Sequence, residues 1–181
     1  AKGQAVRLNV LANDKEDDYW GRIQVGGADW FELVVTSDHL DVSGWQLMLT
    51  NDTGGAGETS QTLTFGSLTP LPDLRAGTII TVSEDLEDNV SYDPASNDWW
   101  INVQAADSAS GDYITAQDLE VSHDQWQLTI RDADSVDIFG PAGEVIRPVS
   151  GVKSDEVFKL EEERLRFYDR LVQLKEQLCY H

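Results

Sequence analysis

Apolar and polar positions alternate in short runs along most of this chain, the pattern of half-buried β-strands. Residues 5–12 (Ala5-Val6-Arg7-Leu8-Asn9-Val10-Leu11-Ala12) suit an opening strand. Residues 29–36 and 41–50 read as strand, short turn, strand, with Trp30 and Trp45 on neighbouring strands. Further strands are expected at 62–65, 78–82, 99–104, 125–131 and 136–139. The run Thr78-Ile79-Ile80-Thr81-Val82 is β-branched almost throughout, as a buried strand would be. Loops fall at 13–18, 51–57 and 70–73, and Gly140-Pro141-Ala142-Gly143 reads as a firm turn. The segment 21–27 suits a short pairing or an irregular connection. About eight strands with turns between them, and no amphipathic helix before residue 150, predict an all-β sandwich or barrel.

The periodicity changes near Ser154. Val157, Leu160, Phe167, Leu171, Leu174 and Leu178 fall on one heptad seam, interrupted by Arg164. Glu161-Glu162-Glu163 comes early and Arg166, Arg170 and Lys175 late, the order that complements a helix dipole. The expected organisation is a sandwich over 1–160 and one C-terminal amphipathic helix over 161–181. Phe167, Leu171, Leu174 and Leu178 would form that helix's interface, either docked on the sandwich or paired with a second copy. Three heptads are marginal for an isolated coiled coil, which favours docking.

Charge narrows the partners. The 181 residues carry 33 Asp or Glu against 13 Lys or Arg, a formal net charge of −20. Residues 151–181 hold six basic and seven acidic side chains, net −1, so −19 lies in residues 1–150. Such a field repels phosphate backbones and argues against nucleic-acid binding. It suits cations or basic protein partners. The single cysteine, Cys179, excludes an intrachain disulfide. No apolar run approaches the length of a membrane span. Ala1-Lys2-Gly3-Gln4 carries no hydrophobic signal region, which fits either a cytosolic chain or a mature exported one.

Candidate chemistry is sparse. There is no Gly-x-Ser-x-Gly elbow, and Cys179 has no evident partner, so no hydrolase site is expected. Three His and one Cys without paired spacing serve zinc poorly. Calcium, which takes several carboxylate oxygens from loops, is better served. One acidic loop holds Asp14, Glu16, Asp17 and Asp18. The other holds Glu84, Asp85, Glu87 and Asp88 and continues to Asp93 and Asp98. Neither has the spacing of an EF-hand, and a solvated acidic loop is the simpler reading of both.

Trp30, Trp45 and Trp126 lie on alternating apolar positions and read as core. Trp20 beside Tyr19 and the doublet Trp99-Trp100 are different, because adjacent strand residues face opposite sides. At most one of Trp99 and Trp100 can enter the main core. Trp20, Trp99 and Trp100 are therefore the candidate binding residues.

Asp29-Trp30-Phe31-Glu32-Leu33 and Leu40-Asp41-Val42-Ser43-Gly44-Trp45 together resemble the lamin-tail domain family, closest to a bacterial exported branch. Further stretches fit that branch at 77–85, 92–95, 98–103, 124–130 and 139–144, and Glu156-Val157-Phe158-Lys159-Leu160-Glu161 fits its closing strand. The resemblance spans roughly residues 6–162. It implies an immunoglobulin-like β-sandwich and a non-catalytic module, secreted or at the cell surface, that mediates protein binding, adhesion or assembly. A cytoplasmic location stays open. A carbohydrate-binding module using an exposed Trp, with or without Ca²⁺, is the alternative. This sequence departs from the family at Val34-Val35-Thr36-Ser37, where a Tyr-Asn pair and a Gly-containing turn are common. It departs again at Val10, where an acidic residue often stands. The helix after residue 162 has no family counterpart.

Overall fold

The computed structural model describes residues 6–13, 29–52, 58–121, 126–143 and 156–158, with side chains placed over 29–51, 58–121 and 126–141. Nine strands are described: β1 (Val6–Asn13), β2 (Trp30–Val35), β3 (Gln46–Asp52), β4 (Glu58–Thr64), β5 (Ile79–Ser83), β6 (Trp100–Gln104), β7 (Trp126–Arg131), β8 (Asp137–Gly143) and β9 (Glu156–Phe158). They form a five-stranded sheet, β6-β5-β2-β1-β9, and a four-stranded sheet, β4-β3-β7-β8. The all-β expectation holds. Among the described residues the only helical turn is a 3-10 turn at Pro94–Ser96. The predicted C-terminal helix with Phe167, Leu171, Leu174 and Leu178 lies outside the described residues, as do Trp20 and the 14–18 loop.

One core joins the two sheets. Period-2 alternation turns Phe31, Leu33 and Val35 of β2 and Ile80 and Val82 of β5 inward. They meet Leu47 and Leu49 of β3 and Trp126, Leu128 and Ile130 of β7 in a single buried cluster. Each such side chain contributes roughly 1.5–3 kcal/mol by leaving water. Trp45 and Trp126 belong to this core, as their positions predicted.

Three expectations from the sequence need correction. The Trp30 and Trp45 segments are not a hairpin. β2 pairs with β1 and β5, whereas β3 pairs with β4 and β7, so the chain crosses from one sheet to the other between them. That connector also delays the second strand, which begins at Gln46 rather than at 41. The reason is a partner the local sequence does not show. Leu40 exchanges two 2.9 Å backbone hydrogen bonds with Leu74, in the connector from β4 to β5. Val42 N–H donates to the Leu71 carbonyl at 3.1 Å. Two sheet-crossing connectors thus pair with each other and plug the end of the core with Val42, Leu71 and Leu74.

The second correction concerns Gly140-Pro141-Ala142-Gly143. This stretch is not a turn but the second half of β8, carried past β7 through a register shift between Ile130↔Phe139 and Leu128↔Ala142. The third concerns Trp30. It is buried but faces outward from the five-stranded sheet, opposite Phe31 and Leu33, and it is not a member of the main core.

β9 confirms a strand at Glu156–Phe158, paired antiparallel with β1. β5 and β6 run parallel. A segment after β6 closes the side of the sandwich between β6 and β4. Ile114, Leu119 and Val121 of this strap are buried. Thr115 N–H donates to the Thr64 carbonyl, and Leu119 N–H to the Ala105 carbonyl. Farther along, the Gln61 side chain replaces a strand's backbone: its amide donates to Asp118 O at 2.8 Å and accepts from Glu120 N–H at 3.1 Å.

Candidate interaction surface

The connector from β5 to β6, residues 84–99, holds Trp99 and all five acidic residues of the candidate cation site. Because β5 and β6 are parallel neighbours, the chain must return to the starting end before β6 can begin. It does so along the free edge of β6, where Asn89 exchanges two 2.9 Å backbone hydrogen bonds with Asn102. It then turns through Asp93, Pro94–Ser96 and Asn97, and Asp93 pairs with Asp98.

Side chains of the sheet's outward face hold this arm down. Thr81, Ser83 and Asn102 are fully buried although they point away from the core. The Asn102 amide donates to the carbonyls of Leu86 and Glu87 at 2.8 and 2.9 Å, and its Oδ1 accepts from Ser83 Oγ at 3.0 Å. Trp100 Nε1 donates to Thr81 Oγ1 at 2.8 Å. A fully satisfied buried network of this kind fixes one arrangement, since each bond lost would strand a dry polar atom. Sequence reading overlooked Asn102. Its signal was an amide between Ile101 and Val103, on the face opposite both.

The five acidic residues proposed for a cation are spread along the arm. Glu84 accepts from Asp29 N–H at 3.1 Å. Asp88 accepts from Gln104 N–H at 2.7 Å. Asp93 caps the 3-10 turn, accepting from Ala95 N–H at 3.1 Å and from Ser96 Oγ at 2.7 Å. The Ser96 hydroxyl, with the backbone N–H groups of Ala95 and Ser96, holds the Asp93 carboxyl below its usual range. Asp85 and Glu87 are exposed. Among the described residues, no group of three or more His, Cys, Asp or Glu is arranged to hold a metal ion.

Glu84 has a second role at the far end of the sandwich. Its N–H donates to the Asp29 carbonyl, and Asp29 Oδ2 accepts from Val121 N–H, so the start of β2, the end of β5 and the strap meet there. Burial raises the Glu84 carboxyl above its ordinary value. The Asp29 N–H opposes that rise, and a side-chain hydrogen bond with Asp118 adds to it.

Neither tryptophan of the doublet belongs to the main core. Trp100 is half-buried on the outward face. Trp99 is 36% exposed, the most open Trp among the described residues. Its ring lies against Gly77, where a Cβ would stand 3.9 Å from the ring and where φ is +96°. Close by, Arg75 Nε donates to Asp38 Oδ1 at 3.0 Å, and Asp38 also accepts from Ala76 N–H. The Arg75 guanidinium keeps the Asp38 carboxyl below its ordinary range. His39 Nδ1 meets Asp73 Oδ1 at 2.9 Å. Among the described residues no helix is long and apolar enough to cross a membrane. Comparison with models of known families, with curated proteins and with solved structures found no match.

Proposed function

We propose that this chain is a non-catalytic binding module of an exported or surface-associated protein, an immunoglobulin-like sandwich of the lamin-tail kind, serving adhesion or assembly. The observation that carries this reading is the arm at 84–99. Asn102 and Ser83 secure it from beneath, so Asp85, Glu87 and Trp99 stand on an ordered surface rather than a free loop. An ordered acidic surface with an aromatic at its base suits a basic patch on a partner protein, because little ordering entropy is lost on binding. The test titrates the full chain with an oligolysine peptide by calorimetry at low and high salt. Asp85→Asn/Glu87→Gln should weaken binding by roughly five-fold more than the equal-charge control Asp107→Asn/Asp134→Asn. Equal effects would mean that net charge alone attracts the peptide and that the arm is no site.

The exposed face of Trp99 supports a second reading, a sugar platform with the Arg75–Asp38 pair beside it. Trp99→Ala would abolish glycan binding on that reading. Calorimetry with Ca²⁺ against EDTA-treated protein tests the calcium expectation at Glu84, Asp85, Glu87, Asp88 and Asp93. Binding heat or a raised Tm supports it, and neither effect sinks it.

A further inference from the structure

The strand edges of the two sheets are closed to different degrees. On β6 every outward-facing backbone N–H is taken. Trp100 donates to Asp98 Oδ1 at 3.4 Å, Asn102 to the Asn89 carbonyl at 2.9 Å, and Gln104 to Asp88 Oδ1 at 2.7 Å. β8 carries Pro141 and a register shift, both of which hinder the addition of a strand. β4 has neither. It pairs with β3 over Glu58–Thr64 without a register shift and holds no proline or lysine. Thr64 shows which residues face away from β3, because its N–H and carbonyl both bond to Thr115 of the strap. By alternation Ser60 and Thr62 face the same way. Both are exposed, and among the described residues nothing bonds to their backbone N–H or carbonyl groups. The strap engages β4 through Thr64 and the Gln61 side chain and leaves these two residues open.

We infer that the free edge of β4 takes up an extended, lysine- or arginine-bearing segment of a partner protein as a further strand of the four-stranded sheet, at a site separate from the arm. Alternating N–H and carbonyl groups in a straight row are matched in spacing by another extended backbone. Charge selects the side chains on that backbone. Glu58 lies on this strand, and Asp118 and Glu120 stand exposed on the strap segment that Gln61 holds beside it. The two Lys or Arg side chains placed in the structure, Arg75 and Arg131, are already matched by Asp38 and Asp137. A second copy of this chain, paired edge to edge, would bring Glu58, Asp118 and Glu120 together with their own counterparts in a like-charge seam. A basic strand meets the same three carboxylates with opposite charge.

The probe is a capped peptide of alternating Thr and Val with Lys at both ends, added in excess to the full chain while amide hydrogen exchange is read residue by residue. Its control is the same peptide N-methylated along its centre, which keeps the charge and blocks strand pairing on both edges. The unmodified peptide should slow exchange at Ser60 and Thr62 by about ten-fold, and the methylated one should not. Gln61 and Leu63, whose backbone groups face β3, should stay unchanged. Thr62→Pro removes an outward donor without touching the β3 ladder and should abolish the protection at Ser60, with an unchanged near-UV spectrum. The comparison of the two peptides on the wild type stands whether or not that variant folds. Equal protection by both peptides, or by neither, would overturn the inference. Protection confined to residues 84–99 would also overturn it and place the peptide on the arm. Protection of Ser60 and Thr62 that rises with protein concentration and needs no peptide would make the occupant a second copy and exclude the basic segment.

Discussion

Ser83 and Asn102 meet across the parallel β5–β6 pair, Ser83 Oγ donating to Asn102 Oδ1 at 3.0 Å with neither residue exposed. This contact lies on the sheet's outward face, and the acidic arm is built over it.

Replacing Asn102 by Leu should therefore do more than remove one bond. The carbonyls of Leu86 and Glu87 and the Ser83 hydroxyl would all lose a partner. The expected cost is about 2–4 kcal/mol by urea denaturation. Limited proteolysis should show new cleavage between residues 84 and 98. A variant that loses stability without new cleavage there would show that Asn102 does not secure the arm.

The strap should be as sensitive at Gly66. A Cβ at that position would come within 2.5 Å of the Asp112 carbonyl oxygen, a backbone atom that cannot swing aside. Gly66 N–H also donates to the Tyr113 carbonyl at 2.7 Å. Gly66→Ala should lower stability by about 1–3 kcal/mol. Amide exchange should speed up at Thr115 and Leu119 more than in β7, and uniform acceleration would contradict the local account.

Stability should depend on pH through Glu84. Its native carboxyl binds a proton more tightly than the ordinary value of 4.5, chiefly because it is partly buried. The stabilisation from that proton is complete below pH 4.5 and is lost as pH rises through the raised native value. Glu84→Gln keeps an acceptor for Asp29 N–H and a donor for Asp118 but cannot ionise. The variant should show a flatter decline of stability above pH 4.5 and exceed the wild type at neutral pH. Urea titrations across that range decide it, and an unchanged slope would exclude Glu84 as the titrating group.

Strand positions were legible because alternation is local. The expected strands at 5–12, 29–36, 78–82, 99–104 and 125–131 each fall within a residue or two of β1, β2, β5, β6 and β7. Pairing was less legible because it rests on contacts far apart in sequence. Nothing between Val35 and Gln46 announces Leu74 as the partner of Leu40, and without that bond a turn and a sheet crossing look alike. Trp30 misled for a related reason: its outward position was buried all the same, so an apolar residue did not mark the core face. The polar residues that hold the arm and the strap, Asn102 and Gln61, interrupt no pattern. They are visible only once the segments they hold lie beside them.

The order of strands also sets how the protein meets force. β9 pairs with β1 through Leu11↔Phe158, Ala12↔Val157 and Asn13↔Glu156, running opposite to it. The entry to β1 and the exit from β9 consequently point toward the same end of the sheet. Tension applied along the chain would peel these two strands apart one hydrogen bond at a time, beginning at Leu11 and Phe158, rather than shear them together. Three residues of pairing would yield first, lengthening the tether while β2, β5 and the core behind them stay closed.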